Sequence, residues 1–94
     1  METPIHIACN HKSEDLCLFL LDRNAQLDLE DKHGHTSFFI ACKQGLNKVV
    51  KKMLKSGVDV HRTDKNGYTA LHLACAYDRA QIVKMLLDYN ANIN

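Results

Sequence analysis

The stretch Gly67-Tyr68-Thr69-Ala70-Leu71-His72-Leu73-Ala74-Cys75 occurs three times in this chain, once strongly and twice in weaker form. Its counterparts are Gly34-His35-Thr36-Ser37-Phe38-Phe39-Ile40-Ala41-Cys42 and, at the start, Thr3-Pro4-Ile5-His6-Ile7-Ala8-Cys9. The three copies follow one another at a constant interval, with no insertion or deletion, so that Thr3, Thr36 and Thr69 occupy the same place in each. A fixed period of this length is typical of stacked repeats. The sequence therefore predicts three equivalent units rather than one irregular core.

Each unit contains two short helical patterns. Threonine hydroxyls are expected to cap the first helix of each unit, at Thr3, Thr36 and Thr69. The second helices have apolar residues at helical spacing, as in Val49, Val50, Met53 and Leu54. Helices shorter than about 12–15 residues are marginal alone in water, so neighbouring units are expected to cover their apolar faces.

The segments between units have turn chemistry. Asp31-Lys32-His33-Gly34 and Asp64-Lys65-Asn66-Gly67 combine a side chain that bonds nearby backbone with a glycine that accepts positive φ. The second helices are expected to end at Asn24, Gly57 and Asn90.

Length and charge narrow the possible functions. Ninety-four residues with a net charge of +1 form one small domain. A nearly neutral chain is not expected to bind nucleic acid or an anionic membrane by bulk electrostatics. No apolar run approaches the roughly 20 residues that span a bilayer, and no signal peptide is visible.

The cysteines Cys9, Cys17, Cys42 and Cys75 are expected to be reduced, buried thiols. Three of them occupy equivalent places in stacked units, and packed helices lie about 8–10 Å apart. A disulfide needs Cα atoms within about 7 Å. This interpretation predicts a reducing intracellular compartment, either cytoplasm or nucleus.

The unit of turn, helix, short loop and helix resembles the ankyrin repeat. The family's Gly-x-Thr-Pro-Leu-His-Leu-Ala-Ala core is similar to residues 67–75, and its Val-x-x-Leu-Leu-x-x-Gly-Ala segment to residues 83–91. The resemblance implies an all-α solenoid of stacked helix-turn-helix units with β-hairpin-like finger loops. It implies one domain over residues 1–94, with repeats at 1–33, 34–66 and 67–94.

Several positions depart from the family pattern. Phe39 replaces a histidine, and Ser37 and Ala70 replace a proline. Lys12 and Asp78 stand where Gly45 keeps the family's glycine between the helices. If the backbone there needs positive φ, each non-glycine residue costs up to about 1 kcal/mol.

The resemblance implies that the chain binds another protein through the finger tips and the concave side of the first helices, without catalysis or a cofactor. The matching positions are Lys32, His33, His35, Lys43, Gln44, Lys65, Asn66, Tyr68, Ala76 and Tyr77. Tyr68 and Tyr77 are the sharpest candidates, because exposed tyrosine is enriched in binding hot spots. The alternative is that both rings only shield neighbouring backbone.

The remaining histidines and lysines have structural interpretations. His6 and His72 match the family histidine that orders the stack by bonding a neighbouring loop. A zinc site at His33, His35 and His61 lacks further ligands at suitable spacing. Lys48, Lys51, Lys52 and Lys55 are expected to form a solvated outer face, with an anionic partner as the alternative.

The terminal units lack the polar outer surface that ends most solenoids. The last unit contains the apolar residues Ile82, Val83, Leu86, Leu87 and Ile93, and the first adds Leu18 and Phe19. We therefore expect either that the chain is part of a longer array or that its ends self-associate. The alternative function is a structural spacer or self-associating scaffold segment of a larger protein.

Overall fold

The computed structural model of the protein describes residues 3–23 and 26–93. These ranges contain six α-helices and no β-strand. The helices are α1 (Pro4–Asn10), α2 (Glu14–Asp22), α3 (Ser37–Gln44), α4 (Asn47–Lys55), α5 (Ala70–Ala76) and α6 (Ala80–Ile93).

The helices form three pairs stacked in two layers. The pairs are α1 with α2, α3 with α4 and α5 with α6. Helices α1, α3 and α5 pack in sequence as one layer, and α2, α4 and α6 pack as the other. Ala8, Ala41 and Ala74 are all buried, so a methyl group occupies the same place in each unit. This arrangement confirms the all-α stack of repeated helix pairs.

Threonine capping is present in the first and last units and absent from the middle unit. The hydroxyls of Thr3 and Thr69 accept hydrogen bonds from the backbone amides of His6 and His72, and each histidine side chain bonds the threonine amide in return. Thr36 is the N-cap residue of α3, but its side chain makes no capping hydrogen bond, so that prediction is wrong. Phe39 stands at the histidine position there and has no ring nitrogen to complete the reciprocal pair.

The link between the two helices of each unit requires positive φ. Gly45 has φ 76°, while Lys12 and Asp78 have φ 58° and 59° at the equivalent places. The predicted strain is therefore present at both non-glycine positions. A side chain in this conformation costs about 1 kcal/mol relative to glycine.

The ends of the second helices only partly follow the prediction. Helix α4 ends at Lys55, two residues before Gly57, whose φ is 88°. Helix α6 runs through Asn90 to Ile93, so the expected stop at Asn90 is wrong. Asn reverses a helix less readily than glycine, and the alanine that follows favours helix. The third stop, at position 24, lies outside the described residues.

Equivalent apolar residues differ in exposure according to their unit. Ile7 is 47% exposed, whereas Ile40 and Leu73 are buried. Leu16 is half-exposed in the same way, while its counterpart Val49 is fully buried. The first unit therefore presents an uncovered apolar surface, which includes Phe19.

The uncovered surface of the last unit is narrower than expected. Ile82 and Leu86 are buried rather than exposed, because they lie in the core shared with the middle unit. Leu87 is half-exposed and Val83 is partly buried. The side chain at position 93 lies outside the described residues.

Three cysteines are buried as predicted, and Cys75 is exposed, so the prediction of burial is wrong there. Cys75 lies in the last unit, at the place where Cys42 is covered by the following unit. The spacing argument also missed one pair, since the Sγ atoms of Cys9 and Cys17 lie 3.2 Å apart. Cys17 belongs to the second helix of the same unit, so the distance between stacked units does not separate it from Cys9.

Candidate functional site

The first finger loop, residues 31–35, is a closed turn held by one aspartate. The Gly34 amide donates to the Asp31 carbonyl, and the Asp31 amide donates to the His35 carbonyl. Asp31 Oδ1 accepts from the amides of His33 and His35, at 2.9 and 3.0 Å. The carboxylate therefore fixes the loop from inside.

The second finger loop, residues 64–68, repeats this geometry. The Asp64 amide donates to the Tyr68 carbonyl, and Gly67 closes the turn onto the Asp64 carbonyl. Asp64 Oδ1 accepts from the amides of Asn66 and Tyr68, each at 2.9 Å. Both predicted turns are thus confirmed.

The two fingers are joined to each other. The Lys65 ammonium donates to the Lys32 carbonyl at 2.8 Å, and the Lys65 amide donates to the His33 carbonyl at 3.4 Å. His35 Nε2 lies 3.0 Å from Asp64 Oδ2, whose side chain is nearly inaccessible to solvent. These contacts hold the finger tips at a fixed spacing.

Both aspartates have pKa values below the usual range for a carboxyl group. Burial would raise the pKa of Asp64, but hydrogen bonds from the Tyr68 amide, the His35 ring and the Asn66 amide outweigh it. Burial also opposes the lower pKa of Asp31, which the His35 and His33 amides produce. Each carboxylate is therefore held ionised by hydrogen bonds within its own loop and, for Asp64, also by the His35 ring of the first finger.

His6 connects the first unit to the first finger. The Thr3 amide donates to His6 Nδ1, so the ring proton lies on Nε2, which donates to the His35 carbonyl at 3.0 Å. His72 is held by Thr69 in the same manner but is exposed. The ordering role of the histidine is thus present for His6, which is buried.

Four of the ten predicted binding residues line one open groove of about 590 Å³. The groove lies between the first finger and the carboxyl-terminal ends of α1 and α3. Its predicted members are Lys32, His33, His35 and Lys43. The other six predicted residues do not line it, although the Lys43 ammonium lies 5.9 Å from the centre of the Tyr77 ring.

The remaining predicted residues lie on the second finger, on or next to α5, and at the end of α3. Tyr68 and Tyr77 are each 50% exposed, and the Tyr68 ring lies 5.6 Å from the ring of His72. Lys65, Asn66 and Ala76 are also exposed. Gln44 is partly buried because its side-chain amide donates to the Asn10 carbonyl at 3.4 Å. We call the ten predicted residues together the finger surface.

Sequence reasoning missed three residues of the groove, namely Asn10, Asp31 and Ile40. Asn10 occupies the place in the first unit that Lys43 occupies in the second, so the repeat period itself would have identified it. Ile40 was assigned to the core, where it is indeed buried.

The described residues contain no cluster of three or more His, Cys, Asp or Glu side chains that could hold a metal ion. Among the helices described above, none has the length and hydropathy required to cross a bilayer.

The comparison with known families agrees with the geometry. Residues 5–94 match the profile of ankyrin repeats in three copies. The chain belongs to the ankyrin-repeat family. Members of this family are generally protein–protein interaction modules and are typically non-catalytic. A comparison with curated proteins found no match to the chain.

Proposed function

We propose that this protein binds a partner protein through the finger surface, without catalysing a reaction. The observation that carries the proposal is the pair of half-exposed tyrosines, Tyr68 on the second finger and Tyr77 at the end of α5, together with fingers whose backbone is fixed. Exposed tyrosine contributes a large contact area with few rotatable bonds, which is why it recurs in hot spots.

The hydrogen bonds within and between the fingers support the proposal. A loop that is already ordered loses little conformational entropy when it binds. Asp31 and Asp64 each order one finger, and the contacts from His35 and Lys65 fix one finger against the other. The finger surface is therefore preorganised for a partner of fixed shape.

The charges near the groove favour a partner that presents carboxylates. Lys32 and Lys65 are exposed at the finger tips, and Lys43 lines the groove. The nearby carboxylates of Asp31 and Asp64 accept hydrogen bonds from their own loops, and Asp64 also accepts one from the His35 ring of the first finger. Three ammonium groups therefore lie near two carboxylates, and this excess of positive charge speeds encounter with an acidic surface and discriminates against a basic one.

Alanine variants test the proposal. A partner captured from the source cell would be titrated against wild-type protein and the variants Tyr68→Ala and Tyr77→Ala. We expect each variant to lose at least about tenfold in affinity, since hot-spot truncations cost about 2 kcal/mol or more. Phe19→Ala is the matched control, because Phe19 is an equally exposed aromatic residue on the outer helix α2. Normal binding by both tyrosine variants would contradict the proposal.

A second candidate function is self-association as a scaffold segment. The observation in its favour is the uncovered apolar surface of the first unit, where Ile7, Leu16 and Phe19 are about half-exposed. Sedimentation of wild type and Leu16→Glu over a hundredfold concentration range distinguishes the two. Association that grows with concentration and disappears in Leu16→Glu supports the scaffold, and a monomer throughout removes it.

We also propose a reducing intracellular compartment, either cytoplasm or nucleus. The thiols of Cys9, Cys17 and Cys42 are buried and form no disulfide bond with any described residue, and reducing compartments keep thiols in this form.

A further inference from the structure

A second groove lies in the other helical layer, between α4 and α6. One part has a volume of about 370 Å³ and the other about 320 Å³. Both parts include Lys51 and Met85, so they form one continuous channel along the two helices. At one end, the Asn47 side-chain amide donates to Gln81 and ties the helices together. We call this channel the basic groove.

Lysines line the basic groove on both sides. Lys48, Lys51 and Lys55 follow one another at helical spacing along α4, and Lys84 lies across from them on α6. All four are exposed, and none of them forms an ion pair with any described residue. Four ammonium groups therefore face a single channel without bound counter-charges.

The neighbouring acidic residues compensate only part of this charge. Asp22 pairs with Lys52, which lies outside the lining of the channel. Glu14 accepts from the backbone amide of Lys48 rather than from its ammonium. Asp88 lines the far end and is the single carboxylate among the lining residues. The local excess of positive charge is thus a property of this channel rather than of the nearly neutral chain.

The bottom of the basic groove is apolar. Leu54 is buried there, and Met85 and Tyr89 are partly buried. Methionine adapts its shape to different apolar partners, which suits a surface that receives a flexible segment. A ligand complementary to the lining of this channel must combine carboxylates at its edges with apolar groups at its centre.

The dimensions match a short peptide. Lys48 and Lys55 are seven residues apart on a helix, which is about 10 Å. An extended chain covers that distance in about three residues, because it advances about 3.3 Å per residue. Successive side chains of such a chain point to opposite sides. A few residues can therefore place carboxylates against the lysines and an apolar side chain against Met85.

We propose that the basic groove binds an acidic peptide segment of a partner protein, independently of the finger surface. Its apolar bottom, flanked by lysines on two helices, favours a peptide with acidic and apolar side chains over the headgroups of an anionic lipid surface. Salt screens exposed charges, so the interaction is expected to weaken as ionic strength rises.

The test uses fluorescence anisotropy with labelled dodecapeptides that carry four glutamates and two leucines at varied spacings. We expect saturable binding by wild type for at least one spacing. The double variant Lys51→Glu/Lys55→Glu is expected to bind at least about tenfold more weakly, and Lys51→Arg/Lys55→Arg to bind like wild type. Amide NMR shifts on adding peptide are expected along α4 and α6. Circular dichroism checks that each variant remains folded, which we expect because the substituted lysines are exposed.

Lys65→Glu is the control that separates this site from the finger surface. It is expected to retain peptide binding, because Lys65 lies on the second finger. Peptide binding that is lost in Lys65→Glu and kept in Lys51→Glu/Lys55→Glu would overturn the proposal. Absence of saturable binding for every spacing would do the same. Binding only to mixed phosphatidylcholine–phosphatidylserine vesicles would show that the ligand is an anionic lipid surface, and it would overturn the proposal of a peptide. None of these results depends on the tyrosine variants that test the finger surface.

Discussion

His6 Nε2 donates to the carbonyl oxygen of His35 across 3.0 Å, and this bond joins the first helix of one unit to the finger of the next. The middle unit has no such bond, because Phe39 occupies the histidine position and packs 5.6 Å from the His35 ring. The fingers are linked instead by His35 Nε2 and Asp64 Oδ2. Neighbouring units are therefore joined by two different contacts, a bond from His6 to a backbone carbonyl and a bond between the side chains of His35 and Asp64.

Replacing His6 should destabilise the protein much more than replacing His72. His6→Ala removes the side-chain half of the capping box, opens a cavity and leaves a carbonyl without its partner, at a cost of about 2–4 kcal/mol. His72→Ala removes the equivalent side-chain bond to the Thr69 amide at an exposed site and should cost about 0.5–1 kcal/mol. Urea unfolding monitored by circular dichroism gives both values. Equal losses would show that the bond between units contributes nothing.

Acid should weaken the fingers through Asp31 and Asp64. Their pKa values are lower in the folded protein than the usual carboxyl value of about 3.9. The stabilisation is therefore complete above that value and is lost as pH falls through the folded pKa. Asp64→Asn should be about 1–3 kcal/mol less stable at pH 7 and should lose less than wild type on acidification.

Asp28→Asn serves as the control for this pH experiment, because Asp28 is exposed and lies outside both turns. Its unfolding free energy should follow the wild-type pH profile between pH 7 and pH 3. If Asp64→Asn shows the same pH profile as wild type, the fingers are not the acid-sensitive element.

Proline at position 37 should stabilise the protein. The Ser37 hydroxyl is buried and has no hydrogen-bond partner within the described residues. Ser37 is the first residue of α3, where proline is favourable, and the preceding Thr36 has φ −80° and ψ 170°, which proline requires of its neighbour. Ser37→Pro should gain about 1–2 kcal/mol by removing the hydroxyl and restricting the unfolded chain.

Ala70→Pro is the matched control at the start of α5, where Thr69 has ψ 171°. It should gain only about 0.4–1 kcal/mol, since no buried hydroxyl is removed. Each kcal/mol corresponds to about 4–8 °C in Tm for a domain of this size. A lower Tm for Ser37→Pro with a higher one for Ala70→Pro would mean that the Ser37 hydroxyl is needed.

The four cysteines should differ sharply in reactivity. Burial raises the pKa of the Cys9, Cys17 and Cys42 thiols, and the contact with Cys17 adds to the effect at Cys9. Cys75 is exposed. Iodoacetamide labelling at pH 8 followed by mass spectrometry should modify Cys75 more than about a hundredfold faster, because buried thiols react only through unfolding. Labelling of Cys9 as fast as Cys75 would contradict the burial of the Cys9 thiol.

The repeat period allowed most of the fold to be predicted. Its constant spacing places Ala8, Ala41 and Ala74 in equivalent buried positions, and it also sets the two turns. Side chains that break the period were harder to predict. Thr36 makes no side-chain cap, and Phe39 cannot supply the reciprocal ring bond that His6 and His72 supply. Helix α6 passes Asn90 because nothing there forces the chain to reverse.

Contacts between distant parts of the chain could not be predicted from the sequence. The bond between His35 and Asp64 and the approach of Cys9 to Cys17 both depend on how helices and loops pack in three dimensions. The position of Asn10 in the groove was predictable from the period, whereas the continuous channel between α4 and α6 needed the packing of two helices.

Site-specific photo-crosslinking tests the proposed function most directly. A benzophenone side chain would replace Tyr77 in one variant and Phe19 in another, and each would be irradiated with the captured partner. The finger-surface account predicts a covalent adduct from position 77 and none from position 19. An adduct from position 19 alone would place the partner on the outer surface of the first unit and contradict the account.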